Sequence, residues 1–159
     1  GLQRHVFRDE IVVQDNKDAL HFPPQVEKSV NSSQPDKLPI SGLRVFLMAE
    51  IPSNFLLAEE FGQHIDGFSI GSNDLTQLVL GLDRDSHLVS HIYDERNPAV
   101  KLMISNLIKI GKKNKIKVGI CGQGPSDLLD FCQFLVEEGI DSISITPDSL
   151  LKTLKNVKS

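Results

Sequence analysis

The stretch Asp66 to Ser86, DGFSIGSNDLTQLVLGLDRDS, gathers side chains able to handle an anion together with a hard cation. It opens with a short apolar run, Gly67 to Gly71, of strand length and bounded by glycine. The run breaks into Ser72-Asn73-Asp74, three polar residues where a strand hands over to a helix. A charged cluster, Asp83-Arg84-Asp85, follows an apolar segment. A buried strand that ends in a carboxamide and a carboxylate, with an arginine nearby, can present an anion and a divalent cation to one another.

Two further strand ends carry chemistry. Glu50 closes the apolar run Leu43 to Ala49. An acid there either ligates a hard cation through oxygen or is a surface acid favoured by the helix N-terminus that follows. Cys121 closes the run from Lys117 and is flanked by Gly119, Gly122 and Gly124. It is either a small buried hydrophobe or a thiol with room for a ligand beside it. Cys132, between Phe131 and Phe134, reads as core. Helix capping is the plain role for Ser72, Asn73 and Asp74, but it needs only one of them. Arg84 is either a solvated partner of Asp83 and Asp85 or a guanidinium fork for a carboxylate or phosphate. His87 and His91 stand at i, i+4, but no HExxH or third ligand supports a metal pair. Two cysteines without CxxC spacing make no zinc site.

The elements that must position these residues alternate. Strands are expected at 43–49, 66–71, 117–121 and 141–145. Helices are expected at 52–62, 97–113, from Ser126 or Asp127 to 138, and 147–157; residues 75–82 are helical or turn-like. Asn97-Pro98 starts the longest helix, and Lys109, Lys112 and Lys113 suit its C-terminal end. Successive strand-helix units imply a parallel sheet with right-handed crossovers. A (β/α)8 barrel needs about 250 residues, and four units make half of one. The expected fold is therefore α/β, parallel βα units forming the C-terminal half of a (β/α)8 (TIM) barrel. The apolar strand residues Val45, Leu47, Phe68, Ile70, Val118, Ile120, Ile143 and Ile145 are expected on the inward, open face. All the candidate sites fall at C-terminal strand ends, where barrel enzymes place their active sites.

The 159-residue length suits about one domain. Residues 1–41 are polar and carry four prolines, and read as a poorly ordered leader or a segment joined on from elsewhere. HVFRDEIVV within them could be a short strand. The domain proper is expected at 42–159. Hydrophobic residues make up 40% and charged residues 24%, as in an ordinary soluble domain. A net charge of −4 offers no basic field for nucleic acid. No run is long enough to span a bilayer, and two cysteines fit a reducing compartment.

GFSIGSNDLTQ…GLDRDS resembles the signature of the phosphoenolpyruvate (PEP)-utilising enzymes, which include PEP synthase, pyruvate phosphate dikinase and enzyme I of the sugar phosphotransferase system. Ala49-Glu50-Ile51-Pro52-Ser53-Asn54 upstream and Gly119-Ile120-Cys121-Gly122-Gln123-Gly124-Pro125-Ser126-Asp127 downstream resemble the family in the same order. The wording is closest to the synthase branch, from about Gly42 onward. The resemblance implies a Mg²⁺ site at Glu50 and Asp74. It also implies substrate contacts at Asn73 and Arg84, with Ser72 and Gly71 beside them, and a proton-transferring thiol at Cys121. The implied reaction is ATP, pyruvate and water to AMP, PEP and phosphate through a phosphohistidine. Partners would be pyruvate or PEP, the ATP-binding and phosphohistidine domains, and a second copy in a homodimer, in the cytoplasm and serving gluconeogenesis. The family's remaining arginines lie in the first half of its barrel, so the chain alone is expected to be inactive. A dikinase or enzyme I segment, and a non-catalytic half-barrel that binds a partner, are the alternatives.

Overall fold

The computed structural model describes residues 10–13 and 44–157. Strands β1 (Glu10–Val13), β2 (Arg44–Ala49), β3 (Gly67–Ile70), β4 (Lys117–Ile120) and β5 (Ser142–Ile143) form one parallel sheet in the order β1-β2-β3-β4-β5. Strand order that follows chain order without reversal is the winding of a barrel; a doubly wound sheet reverses at a switch point. The sheet is thus a partial α/β barrel. β1 lies within residues 1–41, at the HVFRDEIVV run, and pairs with β2 from Glu10↔Arg44 to Val13↔Leu47. The rest of that leader lies outside the described residues.

The helices are α1 (Pro52–Leu56), α2 (Ala58–Phe61), α3 (Ser72–Leu80), α4 (Pro98–Asn114), α5 (Gly124–Asp127), α6 (Leu129–Glu138) and α7 (Leu150–Val157). The expected helix over 52–62 is split at Leu57 into α1 and α2. α4 starts where expected: Asn97 caps it, its Oδ1 accepting the Ala99 N–H at 2.9 Å. α6 ends in left-handed Gly139, φ 76°, as a helix stop should. Its start differs from expectation. Leu128 occupies the cap position, and the Ser126 hydroxyl accepts the Thr146 N–H at 2.9 Å, tying the β4 loop to the β5 loop.

Register assigns the two faces of the sheet. Leu47, Phe68 and Val118 align across β2, β3 and β4, as do Ala49, Ile70, Ile120 and Ile143 one step on. These residues, half-buried Ile143 excepted, are buried in one core with Val100, Ile104, Leu107, Phe131 and Leu135 from α4 and α6. A Cβ on Gly111 of α4 would strike Val118 Cγ2, so this face meets the helices. This corrects the expectation that Leu47, Phe68, Ile70, Val118 and Ile120 line the open face. Strand side chains alternate, so the opposite face holds Phe46, Met48, Ser69, Gly119 and Ser142. Phe46, Met48 and Ser69 are only half-buried. An apolar residue in a short buried run does not reveal which side it points to, because both faces of a barrel sheet are covered.

Candidate active site

The same alternation carries the open face past the strand ends. Glu50 follows Met48 by two residues, Gly71 follows Ser69, and Cys121 follows Gly119. Ala49 and Ile70 are paired, and the Gly71 N–H donates to Ala49 O at 3.0 Å while the Cys121 N–H donates to Ile70 O at 2.9 Å. The three strand ends are therefore level.

Glu50 is held by a residue the sequence reading left without a role. Fully buried Asn54 turns its Oδ1 back to accept the N–H groups of Glu50, at 3.3 Å, and Ile51, at 3.2 Å. An amide at the third helical position that satisfies the chain before the helix is half of a capping box; AEIPSN carried that signal. Gly71 makes the approach possible, because a Cβ there would lie 2.9 Å from both Glu50 Cβ and Oε2. Burial, and then the nearby Asp74 charge, push the Glu50 carboxyl above its ordinary range.

Ser72, Asn73 and Asp74 form the first turn of α3, and Gly71 is the cap residue. None of the three caps it through its side chain. Ser72 is fully buried. Asn73 turns Oδ1 toward the Gln123 N–H at a long 3.5 Å, joining the β3 end to the β4 end, and its carbonyl accepts the Tyr93 hydroxyl at 3.1 Å. Arg84 does not pair with Asp83 or Asp85. Asp83 Oδ1 accepts the Asp85 N–H at 3.0 Å to shape the turn, and Arg84 Nη1 lies 3.4 Å from Asp74 Oδ1. A partly exposed ion pair of this kind is worth about 0–1 kcal/mol, so an incoming anion can compete for the guanidinium at little cost.

Cys121 is half-buried, whereas Cys132 is buried, as read from the sequence. Ser69 Oγ donates to Cys121 Sγ at 3.1 Å, and Met48 Sδ lies 3.6 Å from the same sulfur. Burial raises the Cys121 thiol above its ordinary range. The Ser69 hydroxyl offsets part of that rise and the Glu50 charge adds to it. The sulfur is thus held as a neutral thiol near pH 7, an acid within the field of Glu50.

Two further residues were missed in sequence, Tyr93 and Glu95. Burial and the Glu95 charge push the Tyr93 phenol up to about 12. Glu95 is 5% exposed, and burial raises its carboxyl. In DERN an acid among charged residues reads as solvated. His87 and His91 are exposed. Among the described residues no group of three or more His, Cys, Asp or Glu side chains is gathered around a metal position, so any ion would take its remaining ligands from substrate and water.

The level ends of three strands, with the first turn of α3 and the Arg84 loop beyond β3, thus gather carboxylates, an arginine, a carboxamide and a thiol on a partial barrel. The chain belongs to the PEP-utilising enzymes, matching their PEP-binding domain over residues 15–159. PEP synthase from Aquifex aeolicus is 67% identical over 114 residues, 72% of this chain. Those of Synechocystis and Escherichia coli are each 60% identical, over 74% and 71% of it. The segment is thus PEP synthase-like, and nothing in these similarities favours the dikinase, enzyme I or non-catalytic alternatives. It spans only 13% of the Aquifex protein and 14% of the other two. RipC from Yersinia pestis shares the fold with a TM-score of 0.61 at 12% identity, over 97% of this chain and 65% of that one. An HpcH/HpaI aldolase from Desulfitobacterium hafniense does so at 0.58 and 16%, over 94% and 62%. Among the described residues no helix is long and apolar enough to cross a membrane.

Proposed function

We propose that this chain supplies the PEP/pyruvate end of a PEP synthase-like reaction, ATP, pyruvate and water to AMP, PEP and phosphate. The phosphohistidine and the ATP site belong to other domains of such an enzyme. The observation that carries this is the meeting of Glu50 and Cys121, at level strand ends, with Asn73, Asp74 and Arg84 just beyond β3. Residues 42–159 act as the half-barrel unit, in the cytoplasm and in a homodimer, on a route that makes PEP for gluconeogenesis.

The residues fit a hard cation. The Asp74 charge raises the cost of ionising Glu50, and Mg²⁺ takes one or two protein carboxylates with substrate oxygens and water. Held by Glu50 and Asp74, Mg²⁺ would polarise the pyruvate carbonyl as a Lewis acid. Arg84 binds the carboxylate or phosphate of the substrate, released from Asp74 as the anion enters. Asn73, fixed through both its carbonyl and its amide, orients that anion. In the direction that consumes PEP, the Cys121 thiol gives its proton to carbon 3 of enolpyruvate; in the direction of synthesis the same sulfur takes it back. Ser69 aims the sulfur in both. Phosphoryl transfer itself rests on placement and charge neutralisation.

Titration calorimetry with PEP in the presence of Mg²⁺ tests the reading. The chain should bind, and Asp74→Asn should weaken binding at least about tenfold with an unchanged circular dichroism spectrum. No binding by the unaltered chain overturns the substrate assignment. An Asp74→Asn variant that binds as well as the unaltered chain overturns the metal assignment.

A further inference from the structure

Glu95 is a buried carboxyl for which the proposed chemistry has no use. It sits between the turn that carries Arg84 and helix α4, and it touches two parts of the site at once. A Cβ on Gly124 would strike Glu95 Oε2, so the carboxyl lies directly against Gly124, in the turn that follows Cys121. A Cβ on Gly122 would in the same way strike Ser72 Oγ, with Asn73 Oδ1 3.4 Å away. The Ser72 hydroxyl is near enough to favour the charged form of Glu95, yet neither Ser72 Oγ nor Glu95 Oε1 completes a hydrogen bond of standard geometry. Two residues earlier, Tyr93 donates to the Asn73 carbonyl at 3.1 Å. The segment 93–95 thus meets the first turn of α3 through the Tyr93 hydroxyl, with the Glu95 carboxyl near Ser72 and against Gly124 on its far side.

A carboxyl in this position is costly to fold. It is desolvated, the Asp127 and Asp94 charges oppose its ionisation, and only Ser72 and Arg84 favour it. An apolar residue of like volume would pack against Gly124 without that cost. What an apolar side chain cannot do is set a polar oxygen beside the buried Ser72 hydroxyl while bearing on Gly124 from the other side.

We propose that Glu95 is a positioning residue of the anion site: it wedges Ser72 against the Gly122–Gly124 turn and so fixes Asn73 and Cys121 relative to one another. The proposal rests on the reading that Asn73 and Cys121 meet substrate. It makes a claim about the unliganded chain as well, and that claim can be tested separately.

The experiment uses Glu95→Gln, which keeps the shape and a polar tip, Glu95→Ala, which removes the wedge, and Glu95→Asp, which retracts it. Two quantities are read in each: PEP affinity by calorimetry with Mg²⁺, and the iodoacetamide labelling rates of Cys121 and Cys132 by mass spectrometry without ligand. Glu95→Ala should weaken PEP binding about tenfold and raise Cys121 labelling several-fold, with Cys132 unchanged. Glu95→Gln should stay within about threefold of the unaltered chain in both. Equal losses in Gln and Ala overturn the proposal in favour of a charge effect. Unchanged Cys121 labelling in Ala overturns it outright, as does a parallel rise at Cys132, which reports general loosening. Should Glu95→Ala fail to fold, Glu95→Asp decides, with faster labelling at Cys121 alone expected. Should the unaltered chain bind no PEP, the functional reading falls while the labelling arm still decides the role of Glu95.

Discussion

Glu50, Glu95 and Cys121 are all pushed toward their neutral forms, and for all three burial is the first cause. Glu95 gives the cleanest consequence for stability. Its carboxyl sits above the ordinary 4.5 in the folded chain. The folded state therefore holds this proton when the unfolded chain has lost it. The contribution to stability is fully present below pH 4.5 and is lost as pH rises through the raised folded value. Denaturation midpoints measured from pH 4 upward should thus fall less steeply for Glu95→Gln than for the unaltered chain. Identical slopes would show that Glu95 ionises in the fold as easily as in water. At this scale Glu50, Gly71, Ser72, Asn73, Asp74, Arg84 and Cys121 were picked out in sequence as candidates, because each sits inside a contiguous signature. Ser69, Tyr93 and Glu95 were not. Their roles come from contacts with Cys121, Asn73, Ser72 and Gly124, residues remote in the chain, and no local pattern marks such a meeting. The capping expectation for Ser72 to Asp74 failed because glycine took the cap position and left their side chains to other contacts.

Helix α4 shows how an element serves the site without entering it. Its buried residues Val100, Ile104, Leu107 and Ile108 recur at helical spacing and pack behind β3 and β4. Gly111, in the last turn, lets the helix close onto the strand. A Cβ there would meet Val118 Cγ2 and lie 2.9 Å from Ile116 O. Alanine normally gains about 1 kcal/mol over glycine within a helix. Overpacking against a backbone oxygen and a buried valine costs about 1–3 kcal/mol, and here it should win. Gly111→Ala is therefore expected to destabilise the chain in urea denaturation, and a stabilised variant would mean that α4 can slide away from β4 freely. The helix itself was readable from its cap, its proline and its apolar stripe, which act locally. The break at Leu57 was not, nor was the shortening of the last strand to Ser142–Ile143, since both depend on what the chain packs against.

At the scale of the whole molecule the parallel order was legible and the facing of the sheet was not. Strand-helix alternation predicts the first. The second is decided by packing against α4 and α6, which leaves Phe46, Met48 and Ser69 half-buried on the other side, beside the site. Among the described residues the sheet ends at β1 on one side and at the two-residue strand β5 on the other. Large apolar side chains stand out on the helical side, among them Leu56 at 80% exposure, Leu102 at 61% and Leu151 at 74%. Open edges and scattered apolar surface of this extent favour association. Sedimentation velocity at micromolar concentration should find dimers or larger species, and a monomer at every concentration would refute this. Catalysis should nonetheless be absent. The chain corresponds to only 13% or 14% of the PEP synthases it resembles, and the phosphohistidine and ATP site of the proposed reaction belong to other domains. Given ATP, pyruvate and Mg²⁺, the 159-residue chain should form no PEP in a coupled assay, even where calorimetry finds that it binds PEP. Turnover would mean that the phosphate carrier lies within this chain, and the division of labour proposed here would have to be redrawn.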